Sequence, residues 1–243
     1  MRSSGSRRLD TLDEAQQRLL VAVCIISGLT TVVPATYNYV LDPMLAGLHA
    51  SQSQSSTLRQ LPSIAALLVI FIAGAIGNRV GERRVITVAG SLFVLGCAVV
   101  TIAPVLPVAV VGLVVESAGA TVIAVVALGL LGARITDPKG RGAAFSFFGA
   151  IVPIIYMGAP VAAGALIGAT NWRVVPLVWT IGGVALVLTT RTMLPTDDAS
   201  GQVGDLRVPV LAGVFLAVVV QGVGSGAHNG WTATPTVIYF AAA

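Results

Sequence analysis

The sequence predicts an all-α, polytopic membrane protein. Three observations carry that expectation. Only 10% of the 243 residues are charged, and mean hydropathy is +0.91. Charge comes in brief bursts between long apolar runs, as in a chain that re-enters water only at its loops. Those runs are unbroken and rich in Ala, Val, Leu and Gly, whereas barrel strands would be short and alternating.

A spanning helix needs about 20 mostly apolar residues. The runs at 19–41, 61–80, 85–104, 106–132, 143–168, 174–193 and 208–228 meet that length. They leave no room for a sizeable soluble domain. The 27 glycines would be ruinous in soluble helices, but in a bilayer small residues let helices approach closely. The first run is too long for a signal-peptide core and is read as a retained helix. Cys24 and Cys97 fall inside spans with no metal or disulfide spacing, so they read as small apolar residues. In span 5, Gly164 and Gly168 have the G-x-x-x-G spacing that suits packing against another helix.

The chain divides into a cytoplasmic segment at 1–18, a six-helix bundle at 19–194, a cytoplasmic linker at 195–207, and a last part at 208–243. That part holds a seventh span and an external tail or the start of an eighth span. Leu9–Leu20 has acids and apolar residues at helical spacing, which suits a short helix along the inner surface. Basic residues alternate between loops. Arg2, Arg7, Arg8 and Arg18 precede span 1; Arg79, Arg83 and Arg84 lie between spans 2 and 3. Arg134, Lys139 and Arg141 follow span 4, and Arg191 and Arg207 follow span 6. The intervening loops carry only Arg59 and Arg173. By the positive-inside rule the N-terminus is cytoplasmic, and the protein is expected in the cell membrane as a multi-pass chain. A net charge of +4 so placed serves topology, and no nucleic-acid partner is expected.

Between spans 2 and 3 the sequence reads Gly74-Ala-Ile-Gly-Asn78-Arg79-Val-Gly81-Glu82-Arg83-Arg84. It resembles the signature loop of the major facilitator superfamily, G-x-L-A-D-R-x-G-R-R/K-R/K. Gly74, Arg79, Gly81 and Arg83 match in register, while Asn78 and Glu82 replace an acid and a base. Gly74 suits close helix approach and Gly81 a tight turn. The arginines suit acids or helix C-termini on neighbouring helices. In the family this loop latches and gates the rocking halves, which makes Gly74, Asn78, Arg79, Gly81, Arg83 and Arg84 the implied gating loop.

Further matches follow. Gly158-Ala-Pro160-Val-Ala-Ala-Gly164 resembles the G-P-x-x-G-G motif of the superfamily's antiporters, with Gly158, Pro160 and Gly164 in place. Asn171-Trp172-Arg173 opens span 6 as W-R-W-x-F does in drug exporters. Asp205 to Gly213, then Gly230-Trp231-Thr-Ala-Thr-Pro235, is similar to the seventh-span region of the fourteen-helix drug:proton antiporter branch. The resemblance covers about 19–235 and implies the N-terminal six-helix bundle of the major facilitator fold plus a seventh span. Span 4 has no arginine before Gly119, and Pro34 stands where the branch carries an acid. The family's usual charge arrangement for basic drugs is therefore not carried over. Measured against that pattern the chain is expected to be truncated, with a missing C-terminal half as a possible partner.

Glu116 is the one acid deep inside a span. A charged carboxylate there is costly, so it is expected to be protonated, paired or facing a wet cavity. It is the candidate for proton coupling, against the alternative of a structural acid bonded to a neighbouring helix. Thr36, Tyr37 and Asn38 belong to a polar stretch of span 1 around Pro34, and with Tyr156 and Gln221 they are candidates for a substrate path. Hydroxyls that bond their own backbone, and tyrosines at membrane interfaces, are the alternative for these positions. The sequence offers no phosphate loop, metal-ligand set or catalytic pair. No enzyme activity, metal or cofactor is expected, and the proton gradient is the implied energy source. The sequence reading favours a secondary transporter, with proton-coupled efflux of small, largely apolar compounds by alternating access. Its partners would be a small-molecule substrate and the lipid bilayer. The alternatives are an inactive remnant or half-transporter, and a solute uptake transporter.

Overall fold

A computed structural model describes residues 12–51, 54–196 and 206–242. The described residues form helices α1 (Glu14–Gly47), α2 (Ser55–Val80), α3 (Glu82–Ile102), α4 (Leu106–Arg134), α5 (Pro138–Ala169), α6 (Val174–Met193), α7 (Arg207–Asn229) and the short α8 (Thr234–Ala242). Seven of them, α1 to α7, are long and apolar enough to cross a membrane. The chain is an all-α multi-pass membrane protein, as its hydropathy predicts.

Helix ends follow from local chemistry. Asp13 caps α1 through a reciprocal pair with Gln16, satisfying amides that the first turn leaves unpaired. α1 then runs 34 residues without a break. The described part of the Leu9–Leu20 stretch is therefore the cap and first turns of the spanning helix rather than a separate surface helix. The boundary expected at residue 18 falls inside α1, because nothing after the capping box interrupts the helix. Leu9, Asp10 and Thr11 lie outside the described residues, as do 197–205 of the expected linker. Asp137 caps α5 by accepting from the amide of Gly140 at 2.7 Å. Gly81 has φ 99° and joins α2 directly to α3; a left-handed backbone there favours glycine.

α1 lies at the centre, against α4, α5 and α6, while α4 also packs on α2 and α3. α3 and α4 touch backbone to backbone. A Cβ placed on Gly96 would lie 2.6 Å from the carbonyl oxygen of Gly112, and nearer still to the amide nitrogen of Glu116. Gly119 meets the carbonyl of Ala89 in the same way, at 2.7 Å. Small residues at both crossings permit this approach. Phe93, Cys97, Leu113, Ile123 and Leu131 fill the core around it. α7 packs on the flank of α2, and α8 on α7.

Arginines at both ends of the bundle tie helix termini together. Arg83 donates to the carbonyl of Arg191 near the end of α6, and Arg18 donates to that of Thr192 at 3.3 Å. At the opposite end Arg173 donates to the carbonyl of Thr101 at 2.8 Å. The last carbonyls of a helix lack intrahelical donors and carry partial negative charge, so guanidinium groups stabilise them.

Candidate functional site

α1, α2 and α4 enclose a cleft of about 420 Å³. α1 contributes Thr30, Thr31, Val33, Pro34 and Tyr37; α2 contributes Leu58, Arg59, Pro62 and Ser63. From α4 come Leu113, Glu116, Ser117, Ala120, Thr121 and Ala124. Glu116 is 5% exposed. Among the described residues no hydrogen bond or ion pair reaches its carboxyl. It sits ten residues into α4, about 15 Å along the axis from the start at 1.5 Å per residue. That distance is about half the thickness of a hydrocarbon layer of about 30 Å, and α4 continues beyond Glu116 to Arg134. The close contact of α3 fixes the backbone at this point, leaving the side chain to face the cleft.

Prolines shape the opposing walls. Pro62 has no N–H, so the carbonyl of Leu58 lacks its helical donor. The phenol of Tyr37 supplies one at 2.7 Å. Ser117 donates across from α4 to the carbonyl of Pro62 at 2.9 Å. Both bonds hold the first turns of α2 against the cleft. Pro34 likewise removes the donor that the carbonyl of Thr30 would take in a regular helix.

The substrate-path candidates separate into four groups. Tyr37 lines the cleft. Asn38 accepts from Arg59 at 2.6 Å and so positions a residue that does line it. Thr36 is buried and accepts from the indole N–H of Trp179 at 2.9 Å, which makes it a clasp between α1 and α6. Tyr156 on α5 and Gln221 on α7 are outside the cleft. Arg59 was expected in a loop; it lies in the second turn of α2. Its side chain lines the same cleft as Glu116. The sequence signal for it is the i, i+3 step from Arg59 to Pro62, a charged residue one turn before a helix-interior proline.

The gating-loop residues sit around the α2–α3 joint. Gly77, rather than Gly74, makes the closer approach to α4: a Cβ placed on Gly77 would lie 3.1 Å from Val126, and one on Gly74 4.0 Å from Val125. Arg83 reaches the end of α6, and Arg84 is exposed. The side chains of Asn78 and Arg79 lie outside the described residues. On α5, Gly158, Gly164 and Gly168 have nothing within 4 Å of a built Cβ. The expected G-x-x-x-G contact with another helix is therefore not made among the described residues. α5 instead turns Ile151 and Ile155 toward α1 and leaves Met157 and Val161 exposed.

The model of the Major Facilitator Superfamily matches residues 19–234. This chain belongs to that superfamily. Among similar superfamily proteins, the methylenomycin A resistance protein of Streptomyces coelicolor is 26% identical, over 100% of this chain and 52% of its own length. The multidrug resistance protein B homolog of Mycobacterium tuberculosis is 27% identical over 97% of this chain and 44% of its own length. The multidrug resistance protein Stp of the same organism is 26% identical over 72% and 33%. This superfamily chain thus spans about half the length of the curated relatives it matches, or less. A crystal structure of a D-xylose–proton symporter aligns with a TM-score of 0.48 and 16% identity, over 93% of this chain and 63% of that one. Members of the superfamily are transporters rather than enzymes.

Proposed function

We propose that this protein acts as a secondary active transporter of the cell membrane, exporting small, largely apolar compounds by alternating access in exchange for protons at Glu116. The observation that carries the reading is a buried carboxyl with no hydrogen bond from a described residue, ten residues into α4 and facing a cleft between three spans. Ionisable groups at that depth are costly and serve ion pathways or proton relays. Substrate and coupling-ion sites of secondary transporters lie near the midplane. Export draws support from the resistance names of the relatives. In this reading the proton gradient supplies the energy and the N-terminus is cytoplasmic. The joint holding Gly74, Asn78, Arg79, Gly81, Arg83 and Arg84 gates the motion. The Gly158, Pro160 and Gly164 motif gives α5 the bend that exchange needs. A further half-length of helices would complete the far wall of the path.

The test is Glu116→Gln, expressed from the native reading frame and assayed in inverted membrane vesicles. The variant keeps size and shape but cannot exchange charge. Substrate accumulation driven by a pH gradient is expected to collapse while passive exchange survives. Undiminished accumulation with the usual pH dependence makes Glu116 a structural acid and overturns the coupling role.

A further inference from the structure

The hydroxyl groups of the cleft share one property that its residue types alone do not reveal: each has its proton committed to a backbone carbonyl. Thr30 donates to the carbonyl of Ser27 at 3.0 Å, and Thr31 to the same oxygen at 2.7 Å. Tyr37 donates to Leu58 at 2.7 Å, Ser63 to Arg59 at 2.9 Å, Ser117 to Pro62 at 2.9 Å, and Thr121 to Ser117 at 2.8 Å. A hydroxyl whose proton is spent offers only lone pairs. Glu116, which has no hydrogen bond from a described residue, adds an acceptor carboxylate once its proton has left, the state in which a substrate cation replaces that proton. Among the described lining residues the one side-chain N–H donor is Arg59. It belongs to the second turn of α2, and one of its nitrogens is engaged by Asn38.

An occupant of this cleft therefore has to bring hydrogen-bond donors to its Glu116 side and apolar surface to Val33, Pro34, Leu113 and Ala124. We infer that the cleft selects N–H-bearing ammonium compounds with an apolar body, that is, primary or secondary amines, over quaternary ammonium compounds of the same shape and charge. This rests on the reading of the cleft as the substrate path and names the substrate class for it. A primary ammonium carries three donors and a positive charge to the carboxyl, and charge-assisted hydrogen bonds are about twice as strong as neutral ones. A trimethylammonium group matches the charge but donates nothing, so it desolvates the lone pairs without replacing their bonds. Arg59, on the other side of the cleft, repels the ammonium and so orients it toward Glu116.

The experiment measures binding, independently of transport. The purified 243-residue chain in lipid nanodiscs is titrated with four probes of one skeleton: 4-phenylbutylamine, its N,N,N-trimethyl analogue, 4-phenylbutanol and 4-phenylbutyrate. The amine is protonated at neutral pH, like a lysine side chain. It is expected to bind roughly tenfold or more tighter than the other three, the size of a charge-assisted hydrogen bond. Glu116→Gln is expected to remove that lead while binding of the alcohol stays. Equal binding of the amine and the trimethyl compound overturns the selectivity, as does tighter binding of the carboxylate; the cleft remains a binding site in either case. If none of the four binds a chain whose helical circular dichroism is intact, the cleft is not a substrate path. That outcome overturns this inference together with the reading beneath it. A Glu116→Gln chain that keeps the amine's full lead also overturns the inference, whatever happens to pH-driven transport.

Discussion

Tyr37 donates its phenol proton to the carbonyl of Leu58 at 2.7 Å, the one acceptor on α2 whose helical donor Pro62 has removed. A defect in one helix is thus repaired by the side chain of another. An unpaired carbonyl away from water costs more than an ordinary hydrogen bond gains. Tyr37→Phe is expected to destabilise the bundle by about 0.5–1.5 kcal/mol, the range for buried and intramembrane hydrogen bonds. Pro62→Ala gives Leu58 a helical N–H again, so in that background the same change should cost less than half as much. Unfolding in mixed detergent micelles measures all four corners of the cycle. An identical loss in both backgrounds means that the phenol does not serve the Leu58 carbonyl.

The alternation of basic loops predicts which ends face the cytoplasm. Arg84 follows the α2–α3 joint and is exposed, as is Ser51 after the end of α1. The two native cysteines, Cys24 and Cys97, are buried and give little background. An impermeant maleimide applied to intact cells should label Ser51→Cys at once, and Arg84→Cys only after permeabilisation. The reverse pattern would invert the orientation.

The helices were legible because bilayer dimensions impose lengths that a hydropathy run displays directly. Glu116 was legible for the same reason, as the one charge that interrupts such a run. The remainder of the site depends on distance in space. Thr36 reads as one more polar residue of span 1, and its partner Trp179 is 143 positions away. Arg59 stood before the apolar run at 61, so hydropathy placed it in a loop, although helix α2 begins at Ser55. The polarity of the cleft was hidden at a finer level. Threonine and serine count as both donors and acceptors until the carbonyls that take their protons are known. The glycines misled in the other direction. The G-x-x-x-G pair of α5 meets no helix among the described residues, and the close crossing is made by Gly96, Gly112 and Gly119. Those three follow no short motif, because the contact joins two helices at unrelated positions.

That crossing gives a prediction in which identical substitutions have opposite results. At Gly96 an added methyl meets backbone of α4 at Gly112 and Glu116, and backbone cannot turn aside as a side chain can. Gly96→Ala must push α3 from α4, an overpacking cost of about 1–3 kcal/mol. It also shifts the α4 backbone that carries Glu116. At Gly164 the same methyl meets nothing within 4 Å, and replacing glycine with alanine inside a helix is favourable by up to about 1 kcal/mol. Thermal unfolding of the purified variants should therefore show a lowered midpoint for Gly96→Ala and an unchanged or raised one for Gly164→Ala. Amine binding at the cleft should weaken only in the former. If Gly96→Ala is as stable as the parent chain, α3 and α4 do not touch at this depth, and the placement of Glu116 toward α1 and α2 loses its support.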